Sequence, residues 1–296
     1  MKLTTEEKLM YDVMDSINNS GIPINFKGSM VLKACLLEAG YNEPIRHTVD
    51  IDANWHSDIP PTTEQIKDSF QKAIDKSNLN LKIESFRDYG ENRSAGFNLI
   101  DNSTGEIIFK MDVDVNRPVP PTKLYEINGV QFRGVSPLQM IADKVSVVSS
   151  DKVFRRIKDV IDLYYFSKAF NFNVEDISQT LKNSGREIGE FDGFLSRTDD
   201  LKHSYEKFRF AGDIDKPPFE EIYSDVQTFI KDILPQDKFL NHSQSDKQED
   251  ELTDIGEIGG DIPTNEDIGN ACKEIMDSKE EFVYDEIDQS KSKDAR

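Results

Sequence analysis

The chain has 296 residues, 36% hydrophobic and 31% charged, with a net charge of −20, which is room for a domain of ordinary size plus an appendage. That acidity argues against a protein that coats nucleic acid by counterion release. Cys35 and Cys272 lie far apart, which excludes a disulfide framework or zinc knuckle, and neither a signal peptide nor a membrane span is visible, so a cytoplasmic protein is expected.

Thr4-x-x-Glu7 forms a capping-box pattern, and Leu9, Met10, Val13, Met14 and Ile17 follow at helical spacing. This helix ends near Asn19-Ser20-Gly21. Ile22–Phe26 predicts a strand, Lys27-Gly28-Ser29 a turn, and Met30–Ala39 an apolar helix closed by Gly40. A strand over Thr48–Trp55 and a polar helix over Thr63–Lys76 come next. Strands are then expected at Leu81–Arg87, Ala95–Ile100 and Ile107–Asn116, and a hairpin over Leu124–Arg133 pivots on Asn128-Gly129. Beyond Ser136 only helical patterns remain: Pro137–Ser149, Lys152–Phe170, Val174–Asn183 and Phe219–Leu234. The chain therefore reads as α/β (α+β), with a domain boundary near residue 135, a helical domain over 136–240 and an acidic, largely disordered tail over 241–296. That tail carries 17 acidic and 6 basic residues. Within it, Ile268, Ala271, Cys272, Ile275 and Met276 mark a short docking helix.

Two strands concentrate carboxylates. In TVDIDAN, a period of two puts Asp50 and Asp52 on one face, opposite Val49, Ile51 and Ala53. In IIFKMDVDVN, Lys110, Asp112, Asp114 and Asn116 face one way and the apolar residues the other. If the strands are neighbours, several carboxylates converge. Two such groups about 4 Å apart repel by roughly 4 kcal/mol at an effective dielectric near 20, so the cluster needs a cation, and oxygen-only ligation favours Mg²⁺ or Mn²⁺. The simpler account is an amphipathic strand with one wet face. Gly28-Ser29, between a strand and a helix N-terminus, suits a phosphate; Ser29 as a plain N-cap is the simpler account there. In RRIKDVIDLYYF the helical wheel buries Ile157, Val160, Ile161 and Tyr164. Arg156, Asp159 and Asp162 fall opposite, flanked by Lys158, either as a solvated face or as a row aimed at a nucleotide.

The spacing RxKDxxD, matched by Arg156, Lys158, Asp159 and Asp162, resembles the fourth motif of the AbiEii/AbiGii-type nucleotidyltransferase toxins, related to the MenT toxins. Gly28-Ser29 with Asp50-Ile51-Asp52 resembles the first motif, Lys110-Met111-Asp112 the second, and Lys144 the lysine of the third. Asp114 departs from the glycine usual in the second motif, and the spacer from Ser29 to Asp50 is long. The resemblance covers roughly residues 20 to 170 and implies a nucleotidyltransferase-like mixed sheet with flanking helices. It further implies an NTP-dependent toxin of a toxin–antitoxin or phage-defence (abortive infection) system, acting on the 3′ end of tRNA and paired with a cognate antitoxin. Asp50 and Asp52 would bind Mg²⁺ or Mn²⁺, with Asp112 as a third ligand. Lys27, Gly28, Ser29, Lys110, Arg156, Lys158 and Asp162 would hold the nucleotide. Lys144 would neutralise phosphate charge, and Asp159 would be the essential acid of the helix; a general-base role for Asp159 is a further expectation.

Other readings stay open: transfer of NMP to a protein hydroxyl, or a non-enzymatic interaction protein acting through its acidic tail. The tail helix would dock on the body or on an antitoxin. Arg117, Lys123, Arg133, Lys152, Arg155 and Arg156 are candidate contacts to RNA. Thr48 shares the face of Asp50, so phosphorylation there would silence the site. His47, His56, His203 and His242 show no ligand spacing.

Overall fold

The computed structural model describes residues 3–90, 94–115, 120–210 and 215–233, all within one contact unit, Met1–Gln244. The tail helix expected around Ile268–Met276, and Asn116 and Arg117, lie outside the described residues. Strands β1 (Ile24–Lys27), β2 (Asp50–Trp55), β3 (Leu81–Arg87), β4 (Ser94–Asp101), β5 (Ile107–Asp114), β6 (Thr122–Ile127) and β7 (Val130–Val135) form one mixed sheet, ordered β3-β4-β5-β2-β1-β7-β6. The pairs β2–β5 and β1–β7 are parallel and the rest antiparallel. The alternation read from the sequence is the pleat of this sheet. Ile51, Ala53, Met111 and Val113 are fully buried, whereas Asp50, Asp52, Asp112 and Asp114 lie on the opposite, partly open face.

Helices α1 (Thr5–Asn19), α2 (Gly28–Glu38) and α3 (Thr63–Lys76) pack on the sheet. Both α1 and α3 begin with a complete capping box, which satisfies N–H groups left open by the first turn. Aromatic contacts fill the interface: Tyr11 stacks on Phe132 at 5.7 Å, and Phe70 meets Phe97 edge-on at 5.8 Å. The second helix begins at Gly28 rather than at Met30, and the strand before it runs through Lys27, with no loop between.

The strands end at Val135. Helices α4 (Pro137–Val148), α5 (Ile157–Ala169), α6 (Val174–Asn183), α7 (Asp192–Leu195), α8 (Thr198–Lys207) and α9 (Phe219–Ile233) follow. The helix expected to begin at Lys152 instead starts as a 3₁₀ turn over Val153–Arg156, because Arg156 leaves helical dihedrals at φ −123°, ψ 33°. Asp159 and Asp162 also depart from the solvated face that the helical wheel allowed: they are 4% and 1% exposed. Their face of α5 meets α4, and cations there replace water.

Candidate functional site

β2 supplies the floor of the site. Its parallel pairing with β5 sets Asp50 opposite Lys110, Asp52 opposite Asp112 and Asn54 opposite Asp114. On its other side, antiparallel β1 brings Lys27 opposite Asp52. The two acidic strands are therefore neighbours, as their matching polarity suggested.

The carboxylates on this face are not equivalent. Asp112 is paired with Arg87, Oδ1 to Nη2 at 2.6 Å, at the exposed rim. Asp114 accepts from Lys27 Nζ at 2.5 Å and from the Ser94 hydroxyl. Among the described residues no three Asp, Glu, His or Cys groups gather as a ligand set; of the expected trio Asp50, Asp52 and Asp112, the last is engaged by Arg87. Burial, followed by the charge of Asp50, pushes the Asp52 carboxyl up to about 6, against the pull of Lys158 and Lys27. Two oxygen ligands short of positive charge, with remaining positions left to water and phosphate, fit a Mg²⁺ or Mn²⁺ ion.

Gly28 makes this arrangement possible. Its φ is +71°, and a Cβ on it would overlap the Asp52 carboxylate, so only glycine lets the strand-to-helix turn bring Asp52 against the start of α2. That start carries no side-chain cap, leaving first-turn N–H groups suited to an anion. Ser29 is not the cap. It is 6% exposed, and its hydroxyl accepts from Arg46 Nη2 at 2.9 Å.

Across the cleft the helices contribute a second charged group. Lys144 Nζ lies 2.5 Å from Asp159 Oδ1 and 2.8 Å from Asp162 Oδ2. Arg156 Nε donates to Asp159 Oδ2 at 2.7 Å. Arg46 donates to Asp162 Oδ1 through Nε at 3.1 Å and Nη2 at 2.7 Å. Burial opposes the charge on both Lys144 and Asp162, but the ion pairs outweigh it. The lysine is raised above its usual value, and Asp162 is lowered to about 2 by Lys144 and Arg46.

The cleft between these groups has a volume of about 780 Å³, and Lys27, Gly28, Asp52, Lys144, Arg156 and Asp159 all line it. Ser29 and Asp162 stand behind its wall, buried. With its carboxylate held by Arg46 and Lys144, Asp162 supports the wall rather than facing a nucleotide. Both oxygens of Asp159 are likewise taken by cations, which is unfavourable for a general base. Asp50, Lys110, Asp112 and Lys158 are not among the lining residues, although the charge of Lys158 reaches Asp52. Lys110 extends instead over the Phe86 ring, 5.2 Å from its centroid. Thr48 is 5% exposed and donates to Asp50 Oδ1 at 3.2 Å, so a kinase has no access to it in this fold.

Sequence reasoning missed Arg46 and the buried cluster beside it. Glu7 accepts from Lys33 Nζ at 2.6 Å, meets His47 Nδ1 at 3.1 Å and accepts from the Thr48 N–H at 3.4 Å. This cluster pins the segment Arg46–Thr48 that leads into Asp50. One signal was available: Lys33 is the only charged residue between Met30 and Leu37 in an otherwise apolar helix, and such a residue needs a buried partner.

The sequence family described as the nucleotidyl transferase AbiEii toxin of type IV toxin–antitoxin systems matches residues 12–248. Among solved structures, the chain is similar to MenT4, a nucleotidyltransferase toxin from Mycobacterium tuberculosis H37Rv. The identity is 13% and the TM-score 0.47, covering 83% of this chain and 89% of the other. It is also similar to an antigenic nucleotidyltransferase-like protein from Paracoccidioides brasiliensis, at 16% identity and TM-score 0.42, covering 68% and 92%. No curated protein sequence matches it. No described helix is long and apolar enough to cross a membrane. The family match spans most of the chain: this is a nucleotidyltransferase of the AbiEii toxin family of type IV toxin–antitoxin systems.

Proposed function

We propose that the enzyme transfers a nucleotide from an NTP to the 3′ end of an RNA, tRNA being the leading candidate, with a divalent cation held by Asp50 and Asp52. The observation that supports this most is the single cleft lined by Gly28, Asp52, Lys144 and Arg156. It combines a helix start suited to phosphate, a carboxylate short of positive charge, and fixed cations opposite. A domain division near residue 135 fits this reading, the sheet providing the floor and the helices that follow it the cationic wall.

In this scheme the acceptor hydroxyl gives up its proton to solvent water as its oxygen attacks the α-phosphorus, a new P–O bond forms, and pyrophosphate leaves with the electrons of the broken bond. A Mg²⁺ or Mn²⁺ ion, when bound at Asp50 and Asp52, supplies Lewis acidity and charge neutralisation. The open N–H groups at the start of α2 receive the triphosphate. Lys144, kept protonated by Asp159 and Asp162, faces charge developing on the leaving group. Arg46 ties Ser29 to Asp162, so the phosphate-binding turn and the lysine keep a fixed separation.

The test is incubation of the full chain with labelled NTPs, Mg²⁺ and total tRNA. Label is expected in RNA, and it should disappear in Asp50→Ala and Lys144→Ala. Label migrating with protein instead would move the acceptor to a protein hydroxyl, and no transfer to either would sink the reading.

A further inference from the structure

We infer that Phe86 is a stacking platform for a base of the acceptor RNA, on the same sheet face as the Asp50–Asp52 pair. This rests on the reading of the acceptor as RNA, and it assigns a binding role to a part of the sheet outside the cleft.

Phe86 lies on edge strand β3, at an irregularity in the β3–β4 pairing between Ser85 and Arg87. One side of its ring covers Gly96: a Cβ at Gly96 would come within 2.6 Å of the Phe86 ring. The ring therefore lies flat over the backbone of β4, on the polar face. Even so, 45% of the residue remains exposed, which makes it one of the few large apolar side chains of the described residues left open to solvent. Lys110 Nζ and the Arg87 guanidinium lie 5.2 and 5.6 Å from the ring centroid. A partly exposed aromatic ring with two cations over it is how proteins hold single-stranded nucleic acid, since every base has a π-face and every linkage a negative charge.

Its position suits an acceptor. Gly96 is opposite Asp112, and Asp112 is opposite Asp52. Two strand spacings therefore separate the platform from Asp52, about 10 Å along the sheet. An RNA end presenting its hydroxyl near Asp50 and Asp52 would bring a neighbouring base over Phe86. The fixed cations opposite Asp52 belong to the other wall of the cleft, which suits the triphosphate and leaves the β3–β4 side for the acceptor.

The competing account is that Phe86 does no more than shield Gly96. Phe86→Leu retains an apolar cover without a π-face, and Phe86→Tyr retains the π-face. Binding of a fluorescent single-stranded RNA of about ten nucleotides to the full-length protein and both variants, with KM for NTP measured alongside, separates the accounts. Phe86→Leu should weaken RNA binding roughly 10-fold, Phe86→Tyr should stay within about twofold, and KM for NTP should not change. RNA affinity retained in Phe86→Leu, or no RNA binding by the wild type, overturns the inference. So does a rise in KM for NTP with RNA affinity intact, which would give the ring to the nucleotide's own base. If RNA binds through Phe86 yet receives no label, the ring's base-stacking role stands and the reading of that RNA as acceptor fails.

Discussion

The site holds two pairs of aspartates in opposite electrostatic circumstances. Asp159 and Asp162 on α5 are answered by Lys144, Arg46 and Arg156 within 2.5 to 2.8 Å, and Asp162 is lowered to about 2. Among the described residues no ion pair is formed by Asp50 or Asp52 on β2, although the charges of Lys158 and Lys27 reach Asp52. Lys27 is engaged by Asp114, and Asp52 is pushed up to about 6. The chain completes the helical pair by itself and leaves the strand pair short of positive charge. One pair is built to hold a lysine in place, and the other to receive a cation from outside.

The largest expected effect comes from breaking the completed pair. Asp162→Asn leaves Arg46 and Lys144 buried with one carboxylate between them, and disrupting a buried pair costs about 3–5 kcal/mol. Asp50→Asn removes a repulsion and should cost far less, or stabilise. Urea unfolding of both variants checks the contrast. Equal destabilisation would mean that the strand pair is as structural as the helical one.

The second effect runs with pH. The folded-state value for Asp52, about 6, lies above its ordinary 3.8, so between these values the folded protein holds a proton that the unfolded chain has released. Stability therefore declines as pH rises through that window, and the deficit is complete above about pH 6. A displacement near two units corresponds to about 3 kcal/mol, or about 2 after allowing for partial solvent screening. Without added metal, Asp52→Asn should be more stable than wild type by about that amount at pH 7.5, and the gap should close near pH 4. A constant gap across the range would place the strain elsewhere. Asp162, displaced downward, has the reverse sign: its contribution is present above about pH 4 and fades toward pH 2.

Much of this site was legible in the sequence because it follows local rules. A period of two fixed the faces of β2 and β5, and Lys27-Gly28-Ser29 fell at a strand-to-helix junction, though the strand passes directly into the helix where a separate turn was expected. What the sequence hid was partnership over distance. Asp162 was compatible with a wet face because nothing local says that Arg46, 116 residues away, arrives to neutralise it. Asp112 shared the parity of a metal ligand, yet Arg87 from another strand takes it. Helix α8 escaped notice for a related reason: its buried residues are only Leu201 and Tyr205, one turn apart and too few to show a period.

The smallest expected effect addresses Asp112 directly. A cation that binds only the folded protein stabilises it by RT ln(1 + [L]/Kd), about 1.4 kcal/mol at ten times Kd. Mg²⁺ should raise the wild-type melting temperature accordingly, and Asp50→Asn should abolish the rise. The pair alone explains the site if Asp112→Asn keeps the full shift, because its carboxylate is then no more than the partner of Arg87. Loss of the shift in Asp112→Asn would mean that the Arg87 bond opens when the ion arrives, restoring the three-carboxylate set that the alternation of β2 and β5 first suggested. The Arg87→Ala variant distinguishes these outcomes further. With Asp112 released, a third ligand would tighten Mg²⁺ binding, whereas a bystander would leave it unchanged.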